Sequence, residues 1–558
     1  MSLSIKLSIL LLLLLPLMGN AQSTYFIQSE KDNHSIDRFQ IIHNNSNINF
    51  FTIKPFNRKS AVQELLYYTD SIHPTRFSNI DAYNMAGILM NNAEYLNREI
   101  PESKSIKPLL NSFYRTKTDF FKVNIPEFYL SVNPMLNIQV GKSSGLDQQL
   151  YLNSRGVNLR GIIGNKVGFF SSVTENQERG PLHYQQYVRQ SRAVPGVGFY
   201  KLVHQDPSAF DYFDARGYFT FNAAKHFDFQ FGYDKNFIGN GYRSLFLSDW
   251  GNSYLFAKIN TRIWKLNYQN LFTELMPQFV KNGDTLISRK YAAIHHLSIN
   301  VSKNINLGFF EAIVFGRKDH FDFQYLNPII FYRHIEGSIG SPDNAFAGFD
   351  FKANFLHRTQ LYGQLLLDEF ILSKLKNQPH YWANKFGIQL GAKYINAFGI
   401  KNLDLQVELN RVRPFTYSHN DTIANYTHYN QPLAHPLGAN FQEIITLITY
   451  QPFPKWNVNA KAIYYNKGVD TGQADFGGNI FKNYNSRNGE DGFTLGNGVN
   501  EKSLNLMLNV GYEWKRNLFL EMSVQNRTYR LETENSNSNA MIFSTGIRLN
   551  MDRKSYDY

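Results

Sequence analysis

The sequence predicts an all-β protein, a transmembrane antiparallel β-barrel of about 18 strands, preceded by a small, mostly helical periplasmic region. Three observations predict it. The first is strict alternation. In 503–531, Leu504, Leu506, Leu508 and Val510 share one face, and Asn505, Met507, Asn509 and Gly511 the other. After Trp514-Lys515-Arg516 the pattern restarts, with Leu518, Leu520, Met522 and Val524 opposite Asn517, Phe519, Glu521, Ser523 and Gln525. Successive strand side chains point to opposite faces, so this is a hairpin with one apolar and one polar face. The second observation is length and repetition. Each strand is about ten residues, enough to cross a bilayer when tilted, and similar hairpins recur along most of the chain. The third is composition. Aromatic residues make up 15% of the chain, with 34 Tyr and 46 Phe, yet mean hydropathy is −0.37. A barrel needs apolar residues only on its lipid face and carries aromatic girdles at both interfaces. A soluble sandwich shows the same alternation, but it accounts for neither the strand length nor the repetition.

Residues 1–21 carry one charge, Lys6, then an apolar run from Leu7 to Met18, then the small residues Gly19 and Ala21. That pattern predicts a secretory signal peptide cut after Ala21. The run is too short for a spanning helix. The chain has no Cys, which excludes disulfides, thiol nucleophiles, thiolate metal sites and a lipid-anchored cysteine. The net charge of +12 is dispersed, with no run of like charge, so it does not read as a nucleic-acid surface.

Residues 22–125 lack the ten-residue alternation and read as the periplasmic, partly helical region. Lys59–Tyr68 and Ile80–Asn97 have helical spacing, the latter through Met85, Ile88, Leu89, Asn92 and Leu96. Pro108–Tyr114 is expected to add a third short helix. Residues 24–56 are polar and mixed, with no period.

Residues 126–550 read as the outer-membrane barrel and 551–558 as a C-terminal tail. Leu403, Leu405, Val407 and Leu409 alternate with Asp404, Gln406 and Glu408; Trp456, Val458, Ala460, Ala462 and Tyr464 with Asn457, Asn459 and Lys461. Leu361, Gly363, Leu365 and Leu367 alternate with Gln360, Tyr362, Gln364 and Asp368; Met541, Phe543, Thr545, Ile547 and Leu549 with Ser544, Gly546, Arg548 and Asn550. A Lys or Arg facing lipid at mid-depth costs roughly 2–4 kcal/mol, an Asp or Glu somewhat less. Asp404, Glu408, Lys461 and Glu521 are therefore assigned to the lumen. Short turns are expected near Lys225-His226, Thr261-Arg262, Lys303-Asn304, His357-Arg358, Phe398-Gly399, Pro452–Pro454 and Lys515-Arg516. Long loops are expected over about 175–214, 274–290, 315–346, 411–440 and 467–502. Short periplasmic turns with long extracellular loops are the habit of outer-membrane barrels.

Polar side chains concentrate in three stretches: HFDFQFGYDKNFIGNGYRSLFLSDWGNSY (226–254), NPIIFYRHIEGSIGSPDNAFAGFDFK (327–352) and QLLLDEF (364–370). These stretches, with PLLNSFYRTKTDFFKVNIPEFYLSVNP (108–134), resemble the Wzi-type capsule-assembly outer-membrane proteins. They are most similar to the RemB gliding-motility proteins of the Bacteroidetes. The resemblance implies an 18-strand barrel in the cell outer membrane with a helical periplasmic part. It implies a non-enzymatic role in binding or organising cell-surface polysaccharide, or in gliding. The partners it implies are outer-membrane lipid, that polysaccharide, and gliding or secretion machinery.

From the residues, Tyr242, Arg243, Asp249 and Trp250 are the candidate polysaccharide contacts. Aromatic faces stack on sugar rings, and charged groups bond hydroxyls or uronates. The alternative for Tyr242 and Trp250 is an interfacial girdle. Arg333, Glu336, Asp343, Asp368 and Glu369 supply both charge signs, and a lumen network that braces the barrel is expected of them. Asp368-Glu369 and His295-His296 are adjacent in probable strands, so each pair points to opposite faces. That spoils a glycosidase pair and a metal pair. His419, His428 and His435 share one polar loop without ligand spacing. The glycines at 239–241 are no phosphate-binding motif, and no GxSxG is present. No cofactor, metal or nucleic acid is expected. The rival readings are a pore, which predicts an open lumen, and a barrel hydrolase, which predicts a nucleophile, base and orienter in reach of one another. A TonB-type transporter is disfavoured by the helical character of 22–125.

N-terminal sequencing of protein taken from the membrane fraction is expected to begin at Gln22. A start at Met1 overturns the signal-peptide reading.

Overall fold

Eighteen antiparallel strands close into one barrel in the computed structural model. It describes residues 23–558 other than 27–29, 44–49, 72–76, 97–102, 107, 111, 278–285, 319, 330, 341, 370–371, 473 and 535. The expected signal peptide lies outside the described residues. The wall strands are β1 Phe128–Ser143, β2 Leu150–Ile163, β3 Val167–Arg179, β4 Asp206–Ala223, β5 Phe227–Asp234, β6 Tyr254–Ile263, β7 Leu266–Leu275, β8 Lys290–Asn300 and β9 Ile305–Phe315. They continue with β10 Asn344–Phe355, β11 Thr359–Leu367, β12 Phe386–Tyr394, β13 Leu403–Val412, β14 Phe441–Tyr450, β15 Trp456–Val469, β16 Val499–Lys515, β17 Leu518–Leu531 and β18 Ser536–Leu549. Each pairs with its chain neighbours. β18 closes on β1 from Leu549 opposite Leu136 to Ile542 opposite Ser143. Closure leaves no unpaired strand edge, the requirement for a sheet in lipid.

The alternation decides which side chains face out. Leu506, Leu508, Leu520, Met522 and Val407 are exposed on the outer wall, while Asn505, Asn509, Glu521, Asp404 and Glu408 are buried inside. The wall is uneven: β5 to β14 have 8 to 12 residues, and the remaining strands 13 to 18. The tall side absorbs sequence expected to be loop, because β3 runs on to Arg179 and β15 to Val469. The β6–β7 turn falls at Trp264-Lys265 and not at Thr261-Arg262, since Thr261 still pairs with Tyr268 and Ile263 with Leu266. Two further connections, 235–253 and 368–385, are long.

Three helices, α1 Glu30–His43, α2 Arg58–Ser71 and α3 Asn79–Asn91, pack around Phe39, Val62, Leu65 and Ile88. α1 arises in the stretch without apolar period. Its buried Arg38 donates from Nε to Asp81 of α3 at 2.7 Å and from Nη1 to Asp404 at 2.5 Å. Ser78 caps α3, accepting the N–H of Asp81, whose carboxylate accepts the N–H of Ser78. That capping box fixes the helix start. The described residues of 108–114 form no helix, because the chain turns back and Leu109 pairs with Phe113. The bundle sits across the short-turn mouth. Asn84 donates to Gln451 at 2.7 Å, Arg160 meets Glu94 at 2.9 Å, and Lys31 meets Glu513 at 2.9 Å.

Leu520→Arg, which places a cation on the outer wall, is expected to destabilise the assembled barrel by about 2–4 kcal/mol, while Leu520→Phe is neutral. Urea unfolding in vesicles checks both; equal stability of the two variants overturns the face assignment.

Candidate functional site

The lumen is filled by the chain from both ends. From the long-loop end, residues 235–253 fold inward and pack on the wall. Gly241 passes so close to Glu408 that a Cβ there would lie 2.4 Å from its carboxylate. The N–H groups of Tyr242 and Arg243 then donate to Glu408 at 2.7 and 3.1 Å. Leu245 N–H donates to Gln364 at 2.8 Å, and the Phe246 ring stacks on Phe310 at 4.4 Å. The 413–440 loop covers this segment, its Tyr417 and Tyr426 hydroxyls donating to the carbonyls of Leu245 and Phe246 at 2.8 and 2.7 Å. From the short-turn end, Ile53–Lys54 pair with Phe237–Ile238 as a two-stranded sheet. The two fillings are thus joined by backbone hydrogen bonds.

The C-terminal tail is the third filling. Asp557 sits among Lys461 at 2.9 Å, the Tyr242 hydroxyl, and Arg243, which also donates to the Asp557 carbonyl at 2.6 Å. Burial raises the Asp557 carboxyl, but Lys461 and Arg243 outweigh it and hold the group well below the usual carboxylate range. Arg553 and Arg548 share Glu521 at 2.9 and 2.8 Å. The Tyr556 hydroxyl donates to the buried Glu178.

Between these fillings remains a cavity of about 600 Å³. Its walls include Asp249, Trp250, Lys235, Arg216 and Tyr558. Trp250, Tyr187 and Tyr558 meet edge-to-face with centroids 5.3–5.7 Å apart. Tyr187 comes from α4, Leu182–Ser191, which folds over the long-loop mouth. Burial and the neighbouring Arg216 push the Lys235 amine down to about 8. Nζ of Lys235 faces Gly196, whose φ of 81° suits glycine and where a Cβ would lie 3.1 Å from it.

All four predicted contacts line this cavity. Tyr242 and Arg243 also bond the tail through Asp557, away from any lipid girdle. The expected five-residue lumen network does not form. Arg333 pairs with Glu336 at 2.5 Å and is 73% exposed at its side chain, while Asp343 binds Arg317 at 2.7 and 2.6 Å. These three belong to a segment packed against the barrel's outer wall. Asp368 and Glu369 both reach buried Lys385, at 3.2 and 3.3 Å. They converge because β11 ends at Leu367 and strand alternation no longer separates them. His296 does point inward, 2.7 Å from Asp350, and His295 outward, with its Nε2 2.5 Å from the Tyr332 hydroxyl. His419, His428 and His435 are separate: Nδ1 of His419 accepts Asp421 N–H, Nδ1 of His428 accepts Met276 N–H, and His435 bonds Glu443 at 2.7 Å. Among the described residues no group of His, Asp or Glu is placed to hold a metal ion. Sequence reasoning set 551–558 apart as a tail without giving it a role, and singled out neither Lys235 nor Tyr187. The only signal was the Arg-Lys-Ser-Tyr-Asp-Tyr run of 553–558, charged and aromatic where the wall pattern had stopped.

A family model, capsule assembly protein Wzi, matches residues 203–541, more than half of the chain. The chain belongs to this family. Wzi of Escherichia coli, described as an outer membrane protein involved in group 1 capsule assembly and a carbohydrate-binding β-barrel, is similar in structure. The TM-score is 0.57 at 12% identity, covering 96% of this chain and 100% of that one. At that identity the likeness is one of fold. The outer membrane protein OprD of Pseudomonas aeruginosa has a TM-score of 0.40 at 11% identity, covering 75% of this chain and 93% of its own. A BenF-like porin of Pseudomonas fluorescens has 0.41 at 11%, covering 75% and 98%. No curated protein sequence matches this chain. In this member the lumen holds the tail through the buried carboxylates of Asp557, Glu521 and Glu178.

Asp557→Asn leaves Lys461 and Arg243 without their buried counter-charge, and breaking such a pair costs about 3–5 kcal/mol. A carboxyl held low in the folded state stabilises fully above its unfolded pKa of about 3.9 and loses that contribution only as pH falls through the lower folded value. Hydrogen exchange of the C-terminal peptide, corrected for intrinsic rate, is expected to show equal protection at pH 8 and pH 5 in the wild type. Protection is expected to be lost in Asp557→Asn. An unchanged variant overturns the assignment.

Proposed function

We propose that the protein is a non-enzymatic outer-membrane barrel that binds cell-surface polysaccharide in capsule assembly. In this reading the short-turn mouth and its helical bundle face the periplasm, and residues 1–21 are the export signal. The observation that carries it is the lumen, which the chain itself fills from both ends around a lined cavity. A pore needs the open path that these fillings occupy. The cavity is of ligand-site size, which runs about 300–1,000 Å³. It offers what a sugar requires: an aromatic face, Trp250, with an acid, Asp249, and an amine, Lys235, beside it. Membership in the Wzi family and the carbohydrate binding described for the Escherichia coli protein support the same ligand class. A part in gliding rests only on the resemblance of 226–254, 327–352 and 364–370 to gliding-motility proteins, and colony spreading is its readout.

Trp250→Ala and Asp249→Asn are expected to weaken binding of purified surface polysaccharide roughly tenfold each, about 1.4 kcal/mol, while Trp250→Phe largely retains it. Heat-modifiable barrel measured by gel stays at the wild-type amount. Wild-type affinity in both variants overturns this site; a parallel loss of assembled barrel shows a structural role instead.

A further inference from the structure

One stretch of the outer wall is covered. On β7, β8 and β9, Asn270 lies opposite His295 and His295 opposite Glu311. This rung shares its face with Leu297 and Phe309, the next rung toward the short turns, where Phe309 is exposed to the surroundings. The rung therefore faces away from the lumen, yet Asn270 and His295 are buried. So are Phe272, Tyr291, Ala293, Ile313 and Phe315, on the same face nearer the long-loop end.

What buries them is the β9–β10 connection, 316–343, which hangs down the outside of the barrel. Its helix α5, Tyr332–Ser338, lays the Tyr332 ring flat on His295 at 4.0 Å, with its hydroxyl 2.5 Å from Nε2. Arg333 N–H donates to Glu311 at 3.4 Å, and His295 Nδ1 lies 3.5 Å from the Glu311 carboxylate. The lowest contact is the Tyr268 hydroxyl, which donates to the Pro328 carbonyl at 2.6 Å. Tyr268 is the third residue of β7 from the short-turn end, so the segment descends most of the wall. Its own outward side shows Phe323, Ile329 and Phe331, exposed at 79, 86 and 77%, with Leu326 beside them.

We propose that 316–343 is a membrane-embedded strap, and that its Phe323, Leu326, Ile329 and Phe331 take lipid acyl chains as their partner. The proposal rests on the outer-membrane reading. Irregular backbone is tolerated at membrane depth where protein buries its polar groups; the strap buries Tyr325, Tyr332, Glu336 and Asp343, while Arg333 stays exposed on a long side chain that can reach the interface. A bare wall would hold Glu311 and His295 against hydrocarbon, where an ionised group costs a few kcal/mol. The exposed apolar side chains continue the belt formed by Phe309, Leu365 and Leu361. Continuity with that belt favours lipid over any other occupant.

The chain has no native Cys, so single labels are unambiguous. Phe323→Cys, Ile329→Cys and Phe331→Cys would each carry an environment-sensitive fluorophore in dioleoyl phosphatidylcholine vesicles, with and without brominated acyl chains. Leu520→Cys marks the barrel wall and Asn485→Cys the long-loop crown. Bromine quenching at the strap sites to an extent similar to Leu520, with none at Asn485, is the expected result. Quenching by aqueous iodide at the strap sites, with Leu520 still bromine-quenched, places the strap in water and overturns the proposal. Protection from both quenchers, with disulfide dimers of Ile329→Cys, shows a second copy as the occupant and also overturns it. Absence of bromine quenching at Leu520 sinks the membrane reading itself.

Discussion

Closure of β18 on β1 is the constraint on which the rest depends. In a membrane every backbone N–H and C=O must find its partner within the protein, and a sheet meets this only by having no edge. Once the ring closes, alternation sends half of the wall's side chains outward and half inward. The outward half is dominated by Leu, Ile, Val and Phe. The inward half is rich in Asn, Gln, Glu, Asp and Lys, and these groups need partners in a confined volume.

The chain supplies the partners itself. The helical bundle seals one mouth through Arg38, Asn84 and Glu94. The 235–253 segment enters from the other, and the two meet in the short sheet of Ile53–Lys54 with Phe237–Ile238. The tail then occupies the space between them and β15–β17. Its charges pair with wall charges: Arg553 with Glu521, Asp557 with Lys461. Buried pairs of this kind contribute little net stability but are costly to half-remove, so they act as register marks for segments that have no strand period of their own. The same logic operates outside the wall, where the His295–Glu311 rung anchors the strap.

Function follows from what the fillings leave. The space they leave includes a cavity lined by the N-terminal bundle, the 235–253 segment, the wall and the tail, with Gly196 and Pro436 reaching it from the long loops.

The barrel was legible in the sequence because membrane burial imposes a period of two on every strand. Leu520 outward with Glu521 inward, and Leu361 outward with Gln360 inward, follow from neighbouring residues alone. The count of about 18 strands follows from the rhythm of turns. The destination of segments without a period was not legible. Arg333, Glu336 and Asp343 carry the same charges inside or outside a barrel; only the fold of 316–343 onto the outer face of β7–β9 decided that they stay out of the lumen. Asp368 and Glu369 were assigned to opposite faces by alternation, and the end of β11 at Leu367 let both turn to Lys385. Tyr242 and Trp250, eight residues apart in one loop, both reach the cavity, and the close approach of Gly241 to Glu408 sets Tyr242 against the tail as well. Helix α1 buries Ile36 and Phe39 in the bundle core, and its Arg38 finds Asp81 and Asp404, residues 43 and 366 positions away. Local periodicity determines which face a strand shows to lipid, whereas long-range charge pairing and close backbone contact, visible only in three dimensions, decide what fills the space the strands enclose.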